Sequence, residues 1–497
     1  MKNGLEKSDP TVVAMKPANK VGLPSAEWVE PRVGAKGNMD QSHMCRTQCR
    51  ESVSQRLARV RNAARQRKKE KFTALLHHVD KDLLHEAFWT LKRQAAPGVD
   101  GVTWQDYEAK LNENLEQLHR NVHSGRYRAQ PVRRRFIPKP DGRQRPLGVT
   151  ALEDKIVQRA VVMVLNEIYE EDFLGFSYGF RPGRGQHDAL DSLAMGIQVA
   201  RVNWILDADI RSFFDQLDKQ WLMRFIEHRV GDKRILRLVE KWLKAGVLDQ
   251  GKWSVSEKGT PQGAVASPLL ANIYLHYVFD LWAERWRRHE AKGKVILVRY
   301  ADDLVAGFEF ESDARRFWDE MRKRFECFGL DLHGEKTRLL EFGRYAAERR
   351  QKRNQGKPET FQFLGFIFIC GQTRRGSFQL QRRTRADRMR AKLREIKEVL
   401  RAHMHAPIPE QGRWLQRVLA GYFAYHAVPT NMRSLAAFHH GVVRIWRRVL
   451  SRRSQKSQIN WERMERIGTA WLPKPRILHP WPEQRFAVKH PRWEPNA

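Results

Sequence analysis

The chain has 497 residues, 41% of them hydrophobic, and its 91 Lys and Arg outweigh 57 Asp and Glu for a formal net charge of +34. That apolar content excludes a disordered chain, and the length suffices for roughly two to four domains with proper cores. So large a positive charge calls for a polyanion, and nucleic acid is the expected partner. A basic membrane-binding protein is the competing class, but no apolar run approaches the roughly 20 residues of a membrane span. Residues Met1 to Lys20 lack the apolar segment of a secretory signal, which points to the cytosol.

Residues 1–50 are polar, carry scattered Pro and Gly, and read as a loosely ordered extension. His43, Cys45 and Cys49 lie close together there, without an evident fourth metal ligand, and with Cys327 and Cys370 they fit no disulfide framework. From Ser52 to His78 the pattern is helical and strongly basic, either a solvated face or a contact for a phosphate backbone. Further helices are expected from Lys81 to Arg93, ending at Ala96-Pro97-Gly98, and from Trp104 to His123. Arg133 to Pro146 reads as a basic hairpin turning at Asp141-Gly142. A long apolar helix follows over Leu152 to Tyr169. Trp204-Ile205-Leu206 reads as a buried strand running into Asp207-Ala208-Asp209. Helical stretches occupy Leu217 to Lys244, and one helix spans Leu269 to Arg288, entered through Ser267-Pro268.

Val295 to Val298 and Leu304 to Ala306 read as two strands joined by a tight turn, Tyr300-Ala301-Asp302-Asp303. Adjacent carboxylates at a hairpin tip do nothing for packing but can hold divalent cations. A helix over Asp313 to Phe328 and short apolar strands, including Phe363 to Phe368, come next. Arg344 to Arg417 carries 19 Lys and Arg against 6 Asp and Glu. Three helices are expected at Arg385 to His403, Gln411 to His426 and Asn431 to Arg453, and beyond Trp471 the chain reads as largely irregular. The resulting division is 1–50 as extension, 51–375 as the main body, 376–453 as a helical region and 454–497 as a basic tail containing Pro and Trp.

Carboxylates on one hairpin rarely suffice for nucleotidyl transfer, and a third is expected from a neighbouring strand; Asp209 supplies it. The chain then shows, in order, PGVDG from Pro97, IPKPDGRQRPLG from Ile137, SYGFRPGRG from Ser177, DADIRSFFD from Asp207, GTPQGAVASPLLANIYL from Gly259, YADD from Tyr300, GEKT from Gly334 and FLGF from Phe363. Over roughly Leu84 to Trp446 it resembles a group II intron-encoded reverse transcriptase/maturase.

The resemblance implies an α+β right-hand polymerase: fingers, palm and thumb, with an antiparallel palm sheet carrying the YADD hairpin and a helical thumb/maturase region. It implies two Mg²⁺ ions held by Asp209, Asp302, Asp303 and the main-chain carbonyl of Ile210. Lys139, Arg145, Phe214, Gln262 and Lys336 match the residues around the incoming nucleotide: Lys139 and Arg145 on its triphosphate, Phe214 and Gln262 at its sugar, Lys336 as acid to the leaving pyrophosphate. One of Phe213 and Phe214 is expected to be core. Phe363, Leu364, Gly365 and Phe366 match a hairpin gripping the primer, and Arg181, Arg184 and Tyr300 are expected along primer and template. The implied partners are intron RNA, an RNA template with its DNA primer, dNTPs and target DNA, with no membrane. The implied setting is a bacterial cytoplasm, and an endonuclease domain is not expected. Two alternatives stay open: a domesticated reverse transcriptase without an intron, and an RNA-binding splicing factor with a decayed polymerase site.

Overall fold

The computed structural model describes residues 42–138, 144–249, 252–254, 259, 263–453 and 459–489. Its strands are β1 (Val132–Pro138), β2 (Gln144–Val149), β3 (Trp204–Asp209), β4 (Val247–Asp249), β5 (Lys252–Ser254), β6 (Val295–Tyr300), β7 (Asp303–Phe308), β8 (Arg338–Glu341), β9 (Phe361–Phe363), β10 (Phe366–Gln372) and β11 (Phe378–Thr384). They form three sheets, ordered β2-β1-β4-β5, β6-β7-β3-β8 and β11-β10-β9.

The sheet β6-β7-β3-β8 is antiparallel throughout and lies at the centre. Alternate side chains of its strands enter different cores. Leu206, Leu297 and Leu304 pack in the large core with the Leu152–Asp172 helix. Ile205, Val298 and Val305 pack on the other side, with the Gln186–Val199 helix and the aromatic rings of β9 and β10. Burial on both faces is why these strands read as continuous apolar runs instead of alternating ones.

The helix expected over Leu269 to Arg288 is a rod in three parts: an α-helix Ser267–Leu275, a π-helical turn His276–Asp280 and an α-helix Leu281–His289. The one expected over Trp104 to His123 is two, Trp104–Glu108 and Leu111–His123, the first started by a Thr103/Asp106 capping box. The basic helix begins earlier than expected and spans Ser42–Gln66, so residues 42–50 are helical; the side chains of His43, Cys45 and Cys49 lie outside the described residues. Several of its arginines are spent within the fold. Arg61 pairs with Glu167 at 2.7 Å and Arg65 with Glu171 at 3.1 Å, both on the Leu152–Asp172 helix, and Arg56 pairs with Asp80. Arg59, Lys68, Lys69 and Lys71 remain exposed.

Two expected boundaries move. Residue 375 falls inside a hairpin, because β10 and β11 are joined through seven register pairs from Phe366↔Thr384 to Gln372↔Phe378. The helical region therefore starts at Ala386–Ala402 and continues with Ile408–His426 and Met432–Leu450. It does not end at 453: Ile459, Met464 and Leu472 are buried in the same core, on and beside a further helix, Trp461–Trp471. Beyond Trp471, residues 472–481 are irregular as expected, but a helix follows them. A helix Pro482–Lys489 lies against Gln186–Val199, where Arg485 pairs with Asp191 at 3.2 Å. Among the described residues no helix is long and apolar enough to cross a membrane.

Asp154, in the first turn of Leu152–Asp172, is 2% exposed, accepts from the Tyr127 hydroxyl and from the Gln130 amide at 2.9 Å, and is pushed up to about 6 by burial. The folded state thus holds this proton more tightly than the unfolded chain between about pH 4 and 6, so stability falls as pH rises through that window. Asp154→Asn is expected to remove this slope, on the order of 2 kcal/mol across the window. Denaturant melts at pH 4.5 and 7 check it: an unaltered pH dependence would mean that Asp154 ionises alike in both states.

Candidate active site

The acidic residues meet because of strand register. β3 ends at Asp209 and β7 begins at Asp303, and the two are direct cross-strand partners, as are Tyr300 and Asp303 on the hairpin. Such partners stand about 4.5–5.5 Å apart between Cα atoms. Ala301 and Asp302 make the turn, with Ala301 in the left-handed region at φ 56°. Ala301 is buried, Asp302 half-buried and Asp303 exposed.

The turn rests on the SYGFRPGRG block. A Cβ on Gly179 would lie 2.3 Å from the Ala301 amide nitrogen, so only glycine lets the two backbones approach. Phe180, next along, is 47% exposed and left-handed at φ 59°, a conformation a bulky residue rarely adopts.

The segment after the Glu311–Cys327 helix runs beside β3. His333 N donates to Asp209 O and Arg211 N to Asp331 O, both at 2.8 Å, and these bonds flank the buried Ile210. The same segment brings Lys336 onto the Asp209 carboxylate, with which it forms an ion pair. Asp207, two residues earlier on the same face of β3, is raised to about 6. Burial is the main cause, the Asp209 charge adds to it, and Arg338 at 3.8 Å opposes it.

Among the described residues no three His, Cys, Asp or Glu side chains are gathered around one point as metal ligands. Asp209 is turned to the opposite charge of Lys336 instead of toward the like charges of its neighbours. The donor set itself, carboxylate oxygens on paired strands, suits a hard divalent cation.

The other expected site residues divide. Phe213 is the core ring at 2% exposure, and Phe214 is the half-exposed one. Arg145 is exposed on β2 opposite Ile137. Lys139 and Gln262 lie outside the described residues. Arg181, expected on the template, is instead buried: it forks onto Glu170 at 3.0–3.2 Å and donates to the carbonyls of Leu174 and Ser177. Arg184 is half-buried and donates to the Gly175 and Ser177 carbonyls. Both hold their own block in shape, since a guanidinium surrounded by carbonyls and a carboxylate is satisfied without an outside phosphate.

Phe363 and Phe366 also turn inward, at 3% and 0% exposure. A hairpin is present where one is expected: Leu364 (φ 45°) and Gly365 (φ 79°) make its two-residue turn between β9 and β10. Only that turn can face a strand, and the Tyr425 hydroxyl holds the Leu364 carbonyl at 2.8 Å. Sequence reasoning passed over Arg299, Asp280, Asn272 and Ser177, which lie buried beneath the acidic turn. Arg299, a charge inside an otherwise apolar strand, was the available signal.

Comparison with known proteins agrees with this geometry. Residues 137–368 match the family model described as reverse transcriptase (RNA-dependent DNA polymerase). The chain is 40% identical to Protein YkfC of Escherichia coli (strain K12) over 277 residues, 49% of this chain and 72% of that protein. It is 34% identical to the group II intron-encoded protein LtrA of Lactococcus lactis subsp. cremoris over 302 residues, 58% of this chain and 50% of LtrA. A shorter stretch, 163 residues at 26% identity, is similar to the nuclear intron maturase 3, mitochondrial, of Arabidopsis thaliana. The class is thus that of RNA-directed DNA polymerases. Within it, the chain is similar to a group II intron-encoded protein, a match that spans half the length of LtrA.

Proposed function

We propose that this protein extends a DNA primer on an RNA template by two-metal nucleotidyl transfer, and that it binds a group II intron RNA to assist splicing and retrohoming into target DNA. The carrying observation is the direct pairing of Asp209 with Asp303, with Asp302 beside it in the turn. Asp209, Asp302, Asp303 and the Ile210 carbonyl would hold Mg²⁺, which lowers the pKa of the primer hydroxyl and neutralises charge on the transferred phosphoryl.

The protein's own residues then orient the reactants. The sheet β2-β1-β4-β5 acts as fingers, with Arg145 and Lys139 on the triphosphate. The sheet β6-β7-β3-β8 acts as palm. Gln262 would contact the sugar of the incoming nucleotide, and Lys336, at the acid edge, donates a proton to the leaving pyrophosphate. Tyr300 and the Leu364–Gly365 turn face the primer–template duplex. The helices from Ala386 onward serve as thumb and maturase region. A groove of ≈ 570 Å³ bordered by Arg133, Arg134, Arg135 and the 45%-exposed Phe136 offers charge and a ring to a nucleic-acid strand. The bacterial relatives support a bacterial source, and a cytoplasmic setting is part of the proposal.

The test is primer extension by the purified chain on an RNA template, with dNTPs and Mg²⁺. Templated incorporation that stops on chelation is expected; none, from folded protein, would turn the reading to a splicing factor that only binds RNA. Phe214 carries a second expectation. Its half-exposed ring would stand where a 2′-hydroxyl must pass, so Phe214→Val should raise ribonucleotide use relative to deoxynucleotide by at least about 10-fold, the range one lost steric contact commands. Unchanged sugar selectivity would remove that role.

A further inference from the structure

Arg299 stands one residue before Tyr300 on β6 and is 0% exposed, as is Asp280. Its whole guanidinium is engaged. Nε donates to Asp280 Oδ1 at 2.7 Å, and Nη2 to Asp280 Oδ2 at 2.5 Å and to Ser177 Oγ at 2.7 Å. Nη1 donates to Asn272 Oδ1 at 2.9 Å and to the Ala301 carbonyl at 3.1 Å.

These partners come from separate parts of the chain. Asp280 ends the π-helical turn, a device that shifts a side chain out of its regular place and recurs at functional sites. Asn272 belongs to the preceding α-helix and also donates to the Gly179 carbonyl at 2.7 Å. Ser177 opens the block on which the acidic turn rests. The main chain repeats the connection: Arg299 N donates to Phe176 O and Tyr178 N to Arg299 O, both at 2.8 Å.

Burying an ion pair is a poor way to stabilise a fold, since well-packed apolar residues often do as well or better. The bond to Ala301 is what apolar residues could not replace. Ala301 is left-handed and directly precedes Asp302, so the position of its carbonyl sets where the two carboxylates stand.

We propose that Arg299, oriented by Asp280, is a positioning residue for the acidic turn: it fixes the Ala301 carbonyl and thereby the placement of Asp302 and Asp303. This rests on the polymerase reading of that turn.

The test compares Arg299→Met, the double variant Arg299→Met/Asp280→Leu, and Arg299→Lys with the unaltered protein. Arg299→Met alone leaves Asp280 buried without its partner and lowers Tm; the double variant restores Tm. Restored stability should not restore function: kcat for primer extension stays about 100-fold down, the scale of a 1 Å misplacement, with KM for dNTP nearly unchanged. Mn²⁺ binding followed by electron paramagnetic resonance weakens in parallel, and the Mg²⁺ concentration for half-maximal rate rises. Arg299→Lys keeps the buried charge but cannot reach all four partners with one ammonium. It should fold and show the same direction of change, so the question stays decidable if the double variant does not fold.

A double variant, or Arg299→Lys, with unaltered kcat and Mn²⁺ affinity would overturn the proposal and leave the pair a packing feature. Failure of the polymerase reading looks different: the unaltered protein itself would not extend a primer, while the Mn²⁺ titration would still report whether Arg299 places the carboxylates.

Discussion

Asp303→Ala is expected to abolish templated DNA synthesis, with kcat down at least about 10³-fold, or about 4 kcal/mol of transition-state stabilisation. Asp303 pairs directly with Asp209, so its loss removes one of the carboxylates among which a cation can be shared. The fold should barely register the change. Asp303 is exposed at the start of β7, and exposed substitutions usually stay within about 0.5 kcal/mol. RNA affinity should also persist, because on the proposed reading the arginines of the β1 groove and the basic residues of the helical region would carry it. Primer extension, a filter-binding curve on structured RNA and a thermal melt, run on one preparation, read the three quantities separately. Polymerisation that survives the change would remove Asp303 from the metal site, and a collapsed melt would make it a structural residue.

The second large effect is expected at a residue with no side chain. In Gly179→Ala the new Cβ would stand 2.3 Å from the Ala301 amide nitrogen and 3.0 Å from the Tyr300 carbonyl carbon. Both are backbone atoms and cannot rotate away, so either the block or the acidic turn must shift. Overpacking of this kind costs about 1–3 kcal/mol, and a displacement near 1 Å at a reacting centre costs about 10²-fold in rate. Gly125→Ala is the control. Gly125 is left-handed at φ 78° with no neighbour within 4 Å of the added Cβ, so its cost is backbone strain alone, about 1–2 kcal/mol, with kcat unchanged. Equal kcat losses in the two variants would show that Gly179 matters for stability only.

Much of the site was legible because it is encoded locally. Two carboxylates in a four-residue turn between apolar runs define a hairpin with an acidic tip, and the run before Asp209 defines a strand with an acid at its end. The hairpin over Phe363 to Phe366 was legible but its ring orientation was not: Leu364 and Gly365 take left-handed angles, and Phe363 and Phe366 point into the core. The inward contacts of Arg181 and Arg184 were not legible, because an arginine among glycines reads alike whether its partner is a distant phosphate, the Glu170 carboxylate or a neighbouring carbonyl. The Trp461–Trp471 helix escaped notice because eleven residues are too short a run to show a clear period, whereas burial of Met464 against other helices stabilises it.

The sequence by itself determined the chemistry on offer: the acids, their order along the chain, the positive charge that demands a polyanion, and the family. Those properties rest on residue identity and short spacing, which folding does not alter. Only the tertiary structure decided which residues meet. The register of β3 against β7 brings Asp209 to Asp303, the segment after Cys327 carries Lys336 onto Asp209, and a π-helical turn delivers Asp280 to Arg299 beneath the acidic turn. Each of these joins residues far apart in the chain, and such contacts are set by packing of whole elements, which no local pattern records.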